Sequence, residues 1–147
     1  MSLKERLLAD MKEAMKSGAK KKLSVIRMAR AAIKNVEIDE RKDLSDEEII
    51  AILAKEVKQR RESIEEYRGV GKEDVATDLE EEINILNQYL PESLSEAEIV
   101  DLVEETIEEV GAEDMSDMGA VMGAIMPQVR GRADGNKVNN LVRERLQ

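Results

Sequence analysis

"LNQYLPESLSEAEI", residues 86–99, decides how the chain is built. Pro91 has no N–H and holds Leu90 away from helical geometry, so a helix arriving through Leu86 and Leu90 must end there. Shortly after, Ser95 precedes an apolar-periodic run with Glu98 three residues on, a capping box that opens a new helix. "LPESLS" is therefore read as the boundary between an N-terminal helical domain, 1–92, and a C-terminal one, 93–147.

Upstream of that boundary the apolar residues recur at helical spacing. A first helix over about 3–17 is expected to stop at Gly18 and the Lys20-Lys21-Lys22 run. A second, near 22–38, puts Leu23, Ile26, Ala29, Ile33 and Val36 on one face, with Arg27, Arg30 and Lys34 as a stripe beside it. Ser45 with Glu48 forms another capping box, and Ile49, Leu53, Val57, Ile64 and Tyr67 carry a third helix to about residue 68. "GVGKED" (69–74) breaks the pattern, since glycine favours reversals over helix. A fourth helix follows, with Val75, Leu79, Ile83, Leu86 and Leu90 inward. Downstream, a helix runs from Ser95 to Gly111, Ser116 is read as the cap of a methionine-rich helix, and Asp134 as the cap of a last one carrying Val138, Leu141, Val142 and Leu146. "LSDEEIIAIL" (44–53) and "LSEAEIVDLV" (94–103) look alike because both open on the same cap chemistry. The expectation is an all-α protein: an antiparallel four-helix part followed by a smaller three-helix domain.

Composition agrees. Of 147 residues 41% are hydrophobic and 38% charged, with two tyrosines and no phenylalanine or tryptophan, which favours helices over sheet. The absence of cysteine and histidine removes disulfides, thiol nucleophiles and the usual transition-metal ligands. The opening "MSLKERLLADMKEAMK" alternates charge with apolar residues, unlike a signal peptide or a membrane span, so a cytoplasmic location is expected. The net charge of −10 is unevenly spread: +6 over residues 1–42, −3 over 43–70, −16 over 71–118 and +3 over 119–147. Both ends are basic although the whole opposes nonspecific adhesion to nucleic acid.

"MGAVMGAIMPQVRGRADG" (118–135) carries the functional question. Met118, Val121, Met122, Ile125, Met126 and Val129 fall on one helix face, read as core. Gly119, Ala120, Gly123 and Ala124 form a second face, and interior glycines cost roughly 1 kcal/mol each relative to alanine. Close crossing with another helix is the expected compensation, and backbone approach to a ligand the alternative. Pro127 is expected to kink or close the helix one turn later. If Asp134 caps the last helix, the amides of residues 135–137 leave its N-terminus amid Arg130, Arg132 and Lys137, a setting for phosphate. Equally, Asp134 satisfies those amides itself and the arginines are solvated.

Neither "GRADGNK" nor "GVGKED" has the spacing of a phosphate-binding loop. No serine lies in a motif that would activate it, and Ser45, Ser95 and Ser116 read as helix caps. Glu80-Glu81-Glu82 and the pairs Glu104-Glu105 and Glu108-Glu109 read as solvated helix faces. No catalytic residue, metal site or cofactor site is expected.

Together "LSVIRMARAAIKNVEI" (23–38), "LNQYLPESLSEAEI" (86–99) and "MGAVMGAIMPQVRGRADGNKVNNLV" (118–142) resemble the YqeY family of small bacterial proteins over essentially the whole chain. That family is similar to the C-terminal tail of GatB, a component of the amidotransferase that converts misacylated Glu-tRNA(Gln) or Asp-tRNA(Asn) to the correct amide. The resemblance implies an all-helical protein with a tRNA-contacting C-terminal domain. It makes Arg130, Arg132, Lys137 and Arg143 the phosphate-contacting candidates and Gly119 and Gly123 points of close backbone approach. By inheritance it also carries carbon–nitrogen ligation with glutamine as amido-N-donor, although nothing here resembles the catalytic cradle of GatB.

Three functions follow as expectations. The first is a non-catalytic tRNA-binding accessory protein, helped by Lys20 to Lys22, Arg27, Arg30 and Lys34. The second is an adaptor that docks amidotransferase subunits or an aminoacyl-tRNA synthetase. The third is participation in glutamine-dependent amidation. No membrane partner is expected.

Overall fold

The computed structural model describes residues 1–147 and contains helices and no strand. In chain order these are α1 (Leu3–Ser17), α2 (Lys20–Glu40), α3 (Asp46–Gly69), α4 (Glu73–Asn87), α5 (Glu96–Val110), a short 3₁₀ turn (Met115–Asp117), α6 (Met118–Val129) and α7 (Gly135–Leu146). They group into two compact units, Met1–Leu90 and Pro91–Gln147. No helix is long and apolar enough to cross a membrane.

In the four-helix unit α1 packs on α2 and α3 on α4, with α2 also against α3 and α4. Gly18 ends α1 in the left-handed conformation at φ 73°, and its amide closes on the Ala14 carbonyl. The Lys20-Lys21-Lys22 run does not stop a helix; it forms the first turn of α2, because Gly18 alone completes the reversal. Leu7, Ile26, Ile49, Leu53 and Leu86 are fully buried at the centre. The end of α4 is held to α1 by three contacts on neighbouring side chains. The Tyr89 hydroxyl donates to Asp10, the Arg6 guanidinium lies 4.9 Å from the Tyr89 ring centroid, and Arg6 Nη2 donates to the Gln88 carbonyl at 3.1 Å. Burial first, and then Asp10, pushes the Tyr89 phenol above its usual range, so it stays a donor.

One charged residue occupies a core position. Arg60 continues the Leu53–Val57–Ile64 stripe of α3 and is 7% exposed. Its Nε donates to Glu82 on α4 at 3.1 Å, and its Nη1 to the Glu56 carboxylate at 2.9 Å and carbonyl at 3.1 Å. The Glu80-Glu81-Glu82 run is solvated at Glu80 and Glu81 but is also paired: Glu80 with Arg68, Glu81 with Lys21 and the half-buried Glu82 with Arg60, fastening α4 to α3 and α2.

The three-helix unit has a core of short branched side chains: Ile99, Val103, Val121, Ile125, Val129, Val138, Val142 and Leu146. Met118, Met122 and Met126 pack at its margin. Thr106 is buried and donates its hydroxyl to the Leu102 carbonyl at 2.7 Å, which satisfies it inside α5. Ser95 and Glu98 make the expected capping box, and Asp134 caps α7 by accepting from Asn136 N at 3.0 Å. Ser116 is not the cap of the methionine helix. It donates its amide at 2.9 Å and its hydroxyl at 2.5 Å to Asp114, which caps the 3₁₀ turn instead, a carboxylate being the stronger acceptor. Helix α6 runs through Pro127 and ends two residues later.

Stability should register both kinds of contact. Arg60→Leu leaves Glu56 and Glu82 without their buried partner and should cost about 3 kcal/mol in urea denaturation, with Glu82→Leu added to it recovering most of that loss. Ser95→Ala should cost about 1 kcal/mol by removing the acceptor at the start of α5.

Candidate nucleic-acid interface

The site is built around the turn between α6 and α7. Helix α6 closes at Arg130, whose amide donates to the Met126 carbonyl at 3.0 Å, and Gly131 turns the chain at φ 75°. The turn is tightened by Arg132 N and Ala133 N, which both donate to the Val129 carbonyl, at 2.8 and 3.0 Å. It is also strapped to the segment after Pro91: Leu94 N donates to the Arg132 carbonyl at 2.8 Å, and Arg132 Nε to the Glu92 carbonyl at 3.1 Å.

This geometry divides the expected cations. Arg132 faces inward and bonds the Glu92 carbonyl; together with the Ser95 amide and hydroxyl, which act more strongly, it holds the Glu98 carboxyl below its usual range. Lys137 pairs with Glu96 at 2.5 Å and lowers that carboxyl in the same direction. Both thus sit against the start of α5. Arg130 is exposed and makes no ion pair, and Arg143 is exposed with Nη2 donating to Asn139 Oδ1 at 3.3 Å. Six residues apart on α7, Lys137 and Arg143 lie on different helix faces, Arg143 sharing its face with Asn136 and Asn140. Arg145 pairs with Glu104 at 3.1 Å. The amide of Asn136 is taken by Asp134, so the α7 N-terminus is capped internally.

The glycine face of α6 corrects an expectation. Gly119, Ala120, Gly123 and Ala124 are all exposed, and a Cβ at either glycine would meet open space. Close crossing with another helix is therefore not what these glycines serve. The face continues through the exposed Pro127 and Gln128 to Arg130. Pro127 has no N–H to give the Gly123 carbonyl, which leaves an acceptor on the same flat surface. Sequence periodicity alone does not reveal this face as open, because a small-residue stripe has the same pattern whether covered or bare.

The arrangement offers an exposed backbone face ending in a cation, with donors and acceptors from Asn136, Asn139, Asn140 and Arg143 on the following helix. It is suited to contact with a polar, anionic surface.

Comparison with known proteins bears on this site. The family described as YqeY, Yqey-like protein, matches residues 4–146. The protein named altered inheritance of mitochondria protein 41, mitochondrial, from Pyrenophora tritici-repentis is 32% identical over 142 residues, covering 95% of this chain and 78% of the relative. The protein of that name from Vanderwaltozyma polyspora is 35% identical over 85 residues, covering 57% of this chain and 46% of the relative. The E subunit of glutamyl-tRNA(Gln) amidotransferase from Thermococcus gammatolerans is 43% identical over 58 residues, 40% of this chain but 9% of that relative. The amidotransferase likeness expected from the tail motif is thus present with the E subunit, over a small part of that protein. Matched by the family description across nearly its whole length, the chain belongs to the YqeY family.

Proposed function

We propose that the chain is a non-catalytic tRNA-binding accessory protein that uses the α6 face and the α6–α7 turn. The observation that carries the reading is the exposed Gly119–Gly123 face leading into Arg130, which makes no ion pair. Its support from relatives is the 58-residue likeness to an amidotransferase component whose name specifies Glu-tRNA(Gln). A helix face that carries only glycine and alanine over its first turns lets a ribose–phosphate backbone approach the peptide groups, and the Gly123 carbonyl gives a ribose 2′-hydroxyl an acceptor. Arg130 and Arg143 are the phosphate contacts, while Arg132 and Lys137 act first by shaping the turn and only then by charge.

In this reading the chain supplies binding and no reacting group, so any part in glutamine-dependent amidation comes from holding tRNA beside catalytic subunits. It acts in a compartment that holds tRNA. The fungal relative is mitochondrial by its name.

Binding of purified total tRNA at two salt concentrations tests the proposal. The folded protein should bind, and Arg130→Glu with Arg143→Glu should reduce affinity by about tenfold or more and lower the salt slope by roughly two. No binding by the folded wild type would sink the reading. Gly119→Ala with Gly123→Ala separates binding from folding. On an exposed helix the pair should raise stability by about 1 to 2 kcal/mol in thermal or urea unfolding, while tRNA affinity falls because the added methyls hold the backbone off. Stability and affinity both unchanged or both raised would remove the α6 face from the site.

A further inference from the structure

The four-helix unit carries a second surface, which includes the Arg27, Arg30 and Lys34 stripe expected from the sequence to help hold tRNA and which the proposed α6 site does not use. Helices α1 and α2 border an open groove of about 620 Å³. Its floor is apolar, from Leu7, Leu8, Ala31 and Ile33, and its rim carries Lys4, Arg27, Arg30 and Lys34. Lys4 is engaged by Glu37 and Asp43, and Glu5 and Glu37 temper that end of the groove. The rest of the rim is different. Arg27 and Lys34 are exposed and make no ion pair, Lys34 acting on Glu37 only through space, and Arg30 Nη1 donates to the Met11 thioether at 3.1 Å. Between α3 and α4, by contrast, Arg60 and Arg68 have carboxylate partners. In a chain of net charge −10, three cations without an ion pair beside an open apolar floor form a receptive surface.

We propose that this groove docks an acidic amphipathic helix of a partner protein. Charge complementarity and the apolar floor together select that occupant. A phosphate backbone would meet the cations but would leave Leu8 and Ala31 without an apolar counterpart, and neither tyrosine of the chain lines the groove to stack a base. A helix meets both demands: apolar side chains at i, i+3 or i+4 and i+7 settle on Leu8 and Ala31, and flanking carboxylates reach the rim. Arg27, Arg30 and Lys34 fall at i, i+3 and i+7, a span of about 10 Å, so two to three turns of partner helix suffice. The proposal stands apart from the tRNA reading, since it uses different residues in the other unit.

The test uses the full chain and a fluorescent peptide of about sixteen residues, with leucines at helical spacing flanked by glutamates, read by anisotropy. A scrambled peptide of the same composition and total tRNA are measured in parallel. The wild type should bind the patterned peptide, and the scrambled one roughly tenfold more weakly, because it lacks the apolar stripe. Arg27→Glu with Lys34→Glu should weaken binding by about tenfold, and Ala31→Glu by at least as much. All three positions are exposed, so helicity should be unchanged and is checked by circular dichroism. Arg130→Glu should leave peptide binding intact, which keeps this result separate from that for tRNA.

Failure of the folded wild type to bind the patterned peptide, or equal binding of the scrambled one, would overturn the proposal. So would tRNA binding that is lost on Arg27→Glu with Lys34→Glu without any peptide binding, which would make the groove an RNA surface. Self-association abolished by the same pair, again without peptide binding, would place a second copy of the chain there.

Discussion

A chain that is almost entirely helix takes its form from where its helices stop. The strap after Pro91 and the turn at Gly131 are the two constraints on which the C-terminal unit depends. Helix α4 ends at Asn87, short of the Pro91 stop expected from the sequence, and the residues after Pro91 reach the Gly131 turn, where Leu94 N donates to the Arg132 carbonyl and Arg132 Nε to the Glu92 carbonyl. Gly131 at φ 75° reverses the chain between two arginines, so that Arg130 is left in solvent and Arg132 is turned onto Glu92. Any residue with a Cβ at that φ would be strained, and the separation of the arginines would be the first feature to suffer. The candidate interface is thus a consequence of a backbone constraint before it is one of charge.

Charge then sorts the surfaces. With 33 acids against 23 bases, a cation has carboxylates within reach over much of this molecule. Lys21, Arg68, Lys137 and Arg145 find them, and the exposed pairs among these add little stability individually while fixing which way side chains point. Arg60 is the exception in energy, because it is buried, its partners are half-buried, and its removal would leave their charge uncompensated. Arg27, Lys34 and Arg130 make no ion pair, and each borders a surface with an apolar or small-residue character. Such cations next to low-polarity surface are the common feature of the two regions singled out for binding.

Local chemistry was readable from the residues alone. The capping boxes at Ser45 and Ser95, the Asp134 cap and the αL ends at Gly18 and Gly111 each depend on a few consecutive residues, and each stands where the pattern puts it. Contacts between distant segments were not readable. Arg60 occupies a stripe position that periodicity would fill with an apolar residue, and only the approach of Glu82 from α4 explains it. The engagement of Arg132 and Lys137 by Glu92 and Glu96 likewise requires the strap after Pro91, which no spacing in the 118–135 segment announces. Ser116 fails as a cap for a local reason: a carboxylate two residues earlier takes both its amide and its hydroxyl proton and holds its side chain back on the 3₁₀ turn.

The glycines of α6 are the sharpest case. Two glycines of α6, Gly119 in its first turn and Gly123 in its interior, on an exposed face with nothing packed above them reduce the stability of the isolated helix and gain no intramolecular contact in return. A purely structural role predicts alanine there, since alanine would fit and stabilise. Glycine makes physical sense where something outside the unit must come within backbone distance, and the neighbouring Arg130 makes an anionic surface the natural candidate. The same logic does not extend to the α1–α2 groove, where Leu8 and Ala31 ask for side chains to fill the space. One unit offers bare backbone beside a cation and the other an apolar trough beside cations. Those are different chemistries, suited to different kinds of surface.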